Sequence, residues 1–184
     1  MKFTPLNDWK WSYKDGKLIM LLRSDEGKLF SFTTHYRRVD LMLEPEDGQK
    51  FCVADANLLT DYQEGLYTLN LSEGGCLDLG INAVACERYV RPSSPVSNLF
   101  VPMGAGYRFG RGSIVSLYSK QGNIGDCLVI NENDQDNLMR LMLLNVEFKA
   151  NRDFVFTLGS MLRVRADLAC PYRAMGTQWS VRYA

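Results

Sequence analysis

The sequence predicts an α+β protein in which an N-terminal α/β domain, residues 1–92, precedes a mainly β, barrel-like domain, residues 93–184. Three observations support this prediction: alternating aromatic residues near the N-terminus, two segments with helical spacing before residue 92, and short strand-like runs after it. The proline- and serine-rich segment 92–97 separates the two patterns. Because each half has fewer than a hundred residues, we expect the halves to stabilise each other by packing together.

The first predicted element is a three-stranded meander. Three aromatic residues alternate with polar ones near the start of the chain: Trp9, Trp11 and Tyr13. A period of two places these rings on one face of a strand. The following Asp15-Gly16 pair suits a type I′ hairpin, because both central residues of that turn need positive φ. Lys17–Arg23 is then the returning strand, and Leu29–Thr33 is the third.

Two helices are predicted between the meander and residue 92. The first is Ala54–Tyr67, whose apolar residues recur at spacings of three and four. The second begins after Ser72, the expected N-cap, and Pro92 stops it. One stripe of this second helix is expected to carry five residues: Leu77, Ile81, Val84, Ala85 and Arg88.

The second half of the chain is predicted to be mainly β. Six strand-like runs are separated by turn residues: Leu99–Val101, Ser113–Tyr118, Cys127–Asn131, Leu138–Leu144, Phe154–Leu158 and Met161–Val164. Short strands at this spacing are typical of a small barrel or sandwich. The tail Tyr172–Ala184 carries no pattern from which to predict a structure or a role.

The residues that usually carry catalysis are sparse. His35 is the only histidine and lies in a polar stretch, so we expect it on the surface, and a metal site with two histidines is excluded. The five cysteines contain no C-x-x-C pair, and their apolar neighbours predict buried, reduced thiols. The glycine-rich segment 104–112 has neither dinucleotide-binding nor Walker spacing. The sequence therefore predicts no catalytic residues, no metal and no cofactor.

Charge and hydropathy exclude further classes of protein. Lys+Arg and Asp+Glu both number 21, whereas a general nucleic-acid binder usually carries a basic excess. The longest apolar runs are far too short to cross a bilayer, so we expect no membrane insertion. The N-terminus lacks the apolar core of a signal peptide, and a cytoplasmic location is the expectation.

One long window has an unusual charge pattern. From Arg88 to Gly125 there are five Lys or Arg residues and no Asp or Glu. The same window contains aromatic residues and methionine, which, like arginine, are enriched at protein interfaces. We therefore predict a partner-binding surface that draws on seven residues: Arg88, Tyr89, Arg91, Phe100, Met103, Arg108 and Arg111. The alternative is that the arginines lie in solvated loops while the aromatic rings fill the core of the second half.

Eight short segments also stand out together: Asp8-Trp9-Lys10-Trp11, Lys17–Leu22, 51–56 (FCVADA), 69–72 (LNLS), 82–85 (NAVA), 88–92 (RYVRP), 101–103 (VPM) and Leu158-Gly159. Their order and spacing resemble those of the ZapC family of cell division proteins. The resemblance covers most of residues 6–103 and is thin in the second half. Nothing in the tail Tyr172–Ala184 contributes to it.

The resemblance implies a non-enzymatic cytoplasmic protein that is recruited to the division site at midcell. Members of the family bind FtsZ, the tubulin-like GTPase, promote lateral bundling of its protofilaments, stabilise the Z-ring and lower GTPase turnover. The FtsZ polymer is thus the expected partner, no cofactor is implied, and a monomer is the slightly favoured oligomeric state. From the residues alone, the alternative is a small-molecule-binding protein with an apolar pocket in the β domain.

Overall fold

The computed structural model describes residues 8–104 and 107–172 of the chain. Within these ranges the chain forms two α-helices and ten strands in three sheets. The α+β class is therefore confirmed, and the second half is mainly β as predicted. Apart from Tyr172, the tail for which the sequence predicts nothing lies outside the described residues.

The N-terminal meander forms as predicted, with strands β1, Lys10–Lys14, β2, Lys17–Arg23, and β3, Leu29–Arg37. Asp15 and Gly16 have φ values of 51° and 75°, the positive values that a type I′ hairpin requires. The third strand continues four residues beyond the predicted end at Thr33, after an irregularity in its pairing with β2. The meander thus ends at Arg37, and a 3₁₀ turn, Arg38–Asp40, follows it.

Both predicted helices are present. Helix α1 is Val53–Leu66 and helix α2 is Glu73–Arg88. Ser72 caps α2 as expected, because its Oγ accepts a hydrogen bond from the Gly75 N–H at 3.1 Å.

The C-terminal half contains a five-stranded antiparallel sheet and a separate hairpin. The strands, in chain order, are β4 (Ile114–Tyr118), β5 (Ile124–Asn131), β6 (Met139–Leu143), β7 (Glu147–Lys149), β8 (Val155–Thr157), β9 (Met161–Val164) and β10 (Ala169–Pro171). The sheet has the order β10-β4-β5-β6-β9, and β7 pairs with β8 alone. The predicted strand Leu99–Val101 is wrong, since the chain forms a 3₁₀ turn, Ser97–Leu99, and a single bridge from Phe100 to Ser119.

Helix α2 lies at the centre of the molecule and packs against α1, β3 and β5. Four residues of the predicted stripe are buried: Leu77, Ile81, Val84 and Ala85. Burial extends well beyond that stripe, because between residues 75 and 86 every residue except Asp78 is buried. Both halves of the chain cover the helix, which leaves almost no face for polar residues.

The two halves share one hydrophobic core. Leu128 and Ile130 of β5 join the core built around α2, whereas Cys127 and Val129 join a second core on the other face of the sheet. This alternation is the two-residue period of a strand that is covered on both faces. The expected mutual packing is therefore present, while the boundary between residues 1–92 and 93–184 stays a prediction.

Candidate partner-binding surface

The seven residues predicted for partner binding do not share one surface. Tyr89 and Phe100 are each only 1% exposed, so the expectation that they present their rings to a partner is wrong. Tyr89 meets Trp11 edge to face, with ring centroids 5.4 Å apart, in the shared core. Phe100 stacks on Phe148 at 6.1 Å in the second core. These two rings stabilise the fold, as the alternative interpretation of the window supposed.

The second core also bears on the alternative function. Phe148 stacks on Phe100 on one side and on Phe156 on the other, at 6.1 and 6.4 Å, so aromatic rings occupy this part of the β domain. A small-molecule pocket in the β domain stays a prediction, and no observation within the described residues favours it.

Arg88 and Arg111 lie at the surface but beside carboxylates. The Arg88 Nε is 3.1 Å from Oδ1 of the buried Asp55. The guanidinium of Arg111 lies 3.7 Å from a Glu87 oxygen and 4.0 Å from an Asp61 oxygen. The window that lacks acids in sequence therefore contains them in space, because both helices carry carboxylates to it.

A hydrogen-bonded network surrounds Glu87 at the junction of the two halves. The Arg140 Nη1 lies 3.3 Å from a second Glu87 oxygen, and its Nη2 donates to the Cys86 carbonyl at 3.0 Å. Burial raises the pKa of Tyr62 well above its usual value, so this hydroxyl stays protonated and donates to the Ile130 carbonyl at 3.3 Å. These contacts join both helices to the C-terminal sheet, which gives Arg111 and its neighbours a structural role.

Arg91 has a different environment. It lies in a groove of about 530 Å³ between the end of β3 and the turn that joins β8 to β9. We call this the Arg91 groove; its walls include His35, Val39, Arg91, Phe156, Leu158 and Met161. The Arg91 backbone N–H donates to the Asp40 carbonyl at 2.9 Å, which fixes the residue at the rim. Its side chain is exposed and forms no ion pair with any described residue.

Exposed apolar side chains flank the Arg91 groove on both sides. On one side Val39 lines the groove and is 76% exposed, and Met42 and Leu43, which follow it closely along the chain, are exposed as well. On the other side Phe156 of the β7–β8 hairpin lines the groove, and the exposed Phe154 stacks on it at 6.3 Å beside the exposed Val155. Apolar side chains gathered around a groove mark interaction sites on protein surfaces, and an arginine beside them supplies the cation that interfaces favour.

His35 lies on the surface, as predicted, at one wall of the Arg91 groove. A Cβ on Gly159 would approach its ring to 2.8 Å, so the imidazole packs directly on this backbone. That packing removes water and lowers the pKa of His35, although the nearby Asp78 acts in the opposite sense. The imidazole is therefore neutral near pH 7. Among the residues that line the groove, Arg91 carries the positive charge and Asp40 carries a negative one.

Met103 and Arg108 lie in a separate segment. The Met103 N–H donates to the Asp167 carbonyl at 2.8 Å, and its side chain is partly exposed. Tyr107 and Phe109, the sequence neighbours of Arg108, stack on each other at 5.9 Å. Arg108 is exposed and has no ion-pair partner among the described residues. This segment is a second exposed cationic region, distinct from the Arg91 groove.

The remaining chemistry of the described residues is limited. Cys52 is exposed at the start of α1, so the expectation that all five cysteines are buried is wrong; all five are free thiols. Within residues 8–104 and 107–172, no three His, Cys, Asp or Glu side chains gather closely enough to hold a metal ion. The helices of the same ranges are too short or too polar to cross a membrane.

Comparison with known proteins points to one family. The model of the family described as cell-division protein ZapC, N-terminal, matches residues 2–91. A cell division protein ZapC from Musicola paradisiaca is 26% identical over 173 residues, which cover 93% of this chain and 90% of that protein. A second, from Aliivibrio salmonicida, is 33% identical over 118 residues, 64% of this chain and 65% of that protein. A third, from Vibrio vulnificus, is 26% identical over 94% of both chains.

Proposed function

The chain belongs to the ZapC family of cell division proteins, and from this premise we propose that it binds FtsZ polymers and promotes their lateral bundling at the division site. The Arg91 groove is the observation that supports this proposal most directly. It combines an unpaired cation with exposed apolar side chains on two sides. Such a surface suits a protein partner that carries carboxylates beside apolar residues.

The proposed effect on filaments is electrostatic in part. Acidic filaments repel one another, and this repulsion opposes lateral contact. A bound protein that places arginines on the filament lowers the repulsion and speeds association. Bundling also needs two filament contacts for each cross-link. A monomer can supply them only from two surfaces, and the exposed segment around Arg108 is available as the second.

Lower GTPase turnover follows from the same proposal without any contact with nucleotide. A protein that binds polymer more tightly than free subunits shifts the population toward polymer. Subunits that stay in the polymer exchange more slowly, and turnover falls. The proposal therefore requires no catalytic residue in this chain.

The first test is co-sedimentation with FtsZ that has been polymerised with GTP, with light scattering recorded on the same samples. We expect the protein to pellet with the polymer and to increase scattering. Pelleting without extra scattering would remove bundling from the proposal. A folded protein that stays in the supernatant even at low salt would reject FtsZ binding altogether.

Arg91→Glu is expected to weaken FtsZ binding about tenfold, because it places a carboxylate where the acidic partner needs a cation. The exposed side chain makes one long contact, 3.5 Å from Nη2 to the Leu41 carbonyl, so folding should be unaffected. Titration in the pelleting assay measures the affinity. Lys120→Glu is the matched control, since it makes the same charge change on an exposed residue outside the groove. Equal weakening by both variants would contradict a local role for Arg91.

Arg111 is left unchanged in this test. Its guanidinium lies between Asp61 and Glu87, and a glutamate there would bring three carboxylates together. Any loss of binding would then be confounded by a loss of stability.

A further inference from the structure

The two edges of the N-terminal meander differ in how they are covered. Along β1 the chain protects its own edge: the Trp11 N–H donates to the Gln49 carbonyl at 2.8 Å, and the Phe51 N–H donates to the Trp9 carbonyl at 2.9 Å. The odd-numbered residues of β1 therefore direct their backbone groups outward, away from β2.

The same alternation determines which backbone N–H and C=O groups of β3 point toward β2 and which point away from it. Lys14 pairs with Lys17 across the two-residue hairpin, so the odd residues of β2 bond to β1 and its even residues bond to β3. Met20 pairs with Phe32 in the next ladder, which uses the even residues of β3. The odd residues of β3 therefore direct their N–H and C=O groups to the outer edge of the sheet.

Three residues form this open edge: Leu29, Ser31 and Thr33. None of their outward backbone groups bonds to a described residue. The open stretch ends at His35, whose N–H donates to Asn82 Oδ1 on α2 at 2.9 Å. Leu29–Thr33 also lacks the devices that usually protect an edge, because it contains no charged residue and no proline.

The open edge leads directly into the Arg91 groove. His35 and Tyr36, the residues that follow the edge along β3, both line that groove. A strand laid against residues 29–33 would therefore reach the groove within two or three residues. There the unpaired guanidinium of Arg91 is placed to bind a carboxylate.

We propose that an extended segment of FtsZ adds to β3 as a fourth strand and continues into the Arg91 groove, where one of its carboxylates binds Arg91. This inference rests on the proposed function and specifies how the partner is held. Main-chain hydrogen bonds along residues 29–33 supply affinity, and the groove selects an acidic residue that has apolar neighbours.

Ser31→Pro tests the edge without breaking the meander. Proline removes the outward N–H of residue 31, while the even residues that bond to β2 keep theirs. We expect FtsZ binding to weaken about tenfold in the pelleting assay. Ser31→Ala is the matched control, because it removes the hydroxyl but keeps the N–H, and it should bind like the wild type. Both variants should retain a single cooperative thermal transition.

Hydrogen exchange provides the second readout. Addition of polymerised FtsZ should slow amide exchange at Leu29, Ser31 and Thr33 in the wild-type protein. Unchanged exchange there, or equal binding by both Ser31 variants, would overturn the inference while leaving FtsZ binding intact. Slow exchange at these amides in the isolated protein would also overturn the inference. If the protection increases with protein concentration, a second copy of the chain occupies the edge. If it does not, another part of the same chain occupies the edge. Failure of the wild type to pellet would instead reject the proposed function.

Discussion

Gly65→Ala is expected to lower the free energy of unfolding by more than about 3 kcal/mol, although the same change inside a helix usually stabilises by about 1 kcal/mol. The reason is a backbone-to-backbone contact between α1 and the loop before β4. A Cβ at residue 65 would overlap the carbonyl oxygen of Gly112 and lie 2.9 Å from its carbonyl carbon. Because both partners are main chain, neither can move aside by a change of rotamer.

Gly112, the residue opposite, cannot easily move to relieve this overlap. Gly112 has a φ of 80°, a left-handed conformation that favours glycine, and it packs against the Asp61 carbonyl of α1. The contact therefore holds α1 against the C-terminal half through two glycines that face each other, Gly65 and Gly112. An alanine at residue 65 would push α1 away from the sheet and open the shared core.

Urea unfolding measures this effect, and Gly74→Ala is the matched control. Gly74 lies in the first turn of α2, and a Cβ there meets no atom within 4 Å. The control variant should be as stable as the wild type or more stable by up to about 1 kcal/mol. If the two alanine variants have the same unfolding midpoint, the close contact between α1 and the loop does not exist in solution.

Local rules were sufficient to predict the first half of the fold. The aromatic alternation from Trp9 and the Asp15-Gly16 turn depend only on neighbouring residues, and α1 begins and ends within one residue of the prediction. Two of the errors in the second half arise where pairing is non-local. Leu99–Val101 has strand composition, but only Phe100 finds a partner. Strand β10 was missed because its three residues, the last of them Pro171, form a strand only against the edge of β4.

The candidate site was harder to predict, because charge along the sequence differs from charge in space. The acids that pair with Arg88 and Arg111 precede the acid-free window, so sequence alone could not show that Arg91 and Arg108, unlike those two, have no ion-pair partner among the described residues. The walls of the Arg91 groove come from both halves of the chain. The one available signal was the apolar content of residues 39–43, which lie in a loop between two arginines and an acidic turn.

Asp55→Ala is expected to destabilise the protein by about 3 kcal/mol, the second large effect. Asp55 is fully buried, although it carries a carboxylate. Its Oδ2 accepts a hydrogen bond from the Cys52 N–H at 3.0 Å, which closes the N-terminus of the helix. Its Oδ1 lies 3.1 Å from the Arg88 Nε. Alanine removes both interactions and leaves a cavity beneath a guanidinium that has lost its partner.

Asp61→Ala on the same helix is the control, and it should change the stability by less than about 1 kcal/mol. The Asp61 side chain is 50% exposed, and its carboxylate lies 4.0 Å from Arg111, so water screens the pair. Thermal unfolding of both variants measures the difference. An equal loss of stability in the two variants would contradict the burial of Asp55. The comparison also separates the roles of two neighbouring arginines. Because Asp55 holds Arg88, loss of the Arg88 side chain should lower stability and leave the affinity of the folded protein for FtsZ unchanged. Loss of the Arg91 side chain should lower that affinity and leave stability unchanged.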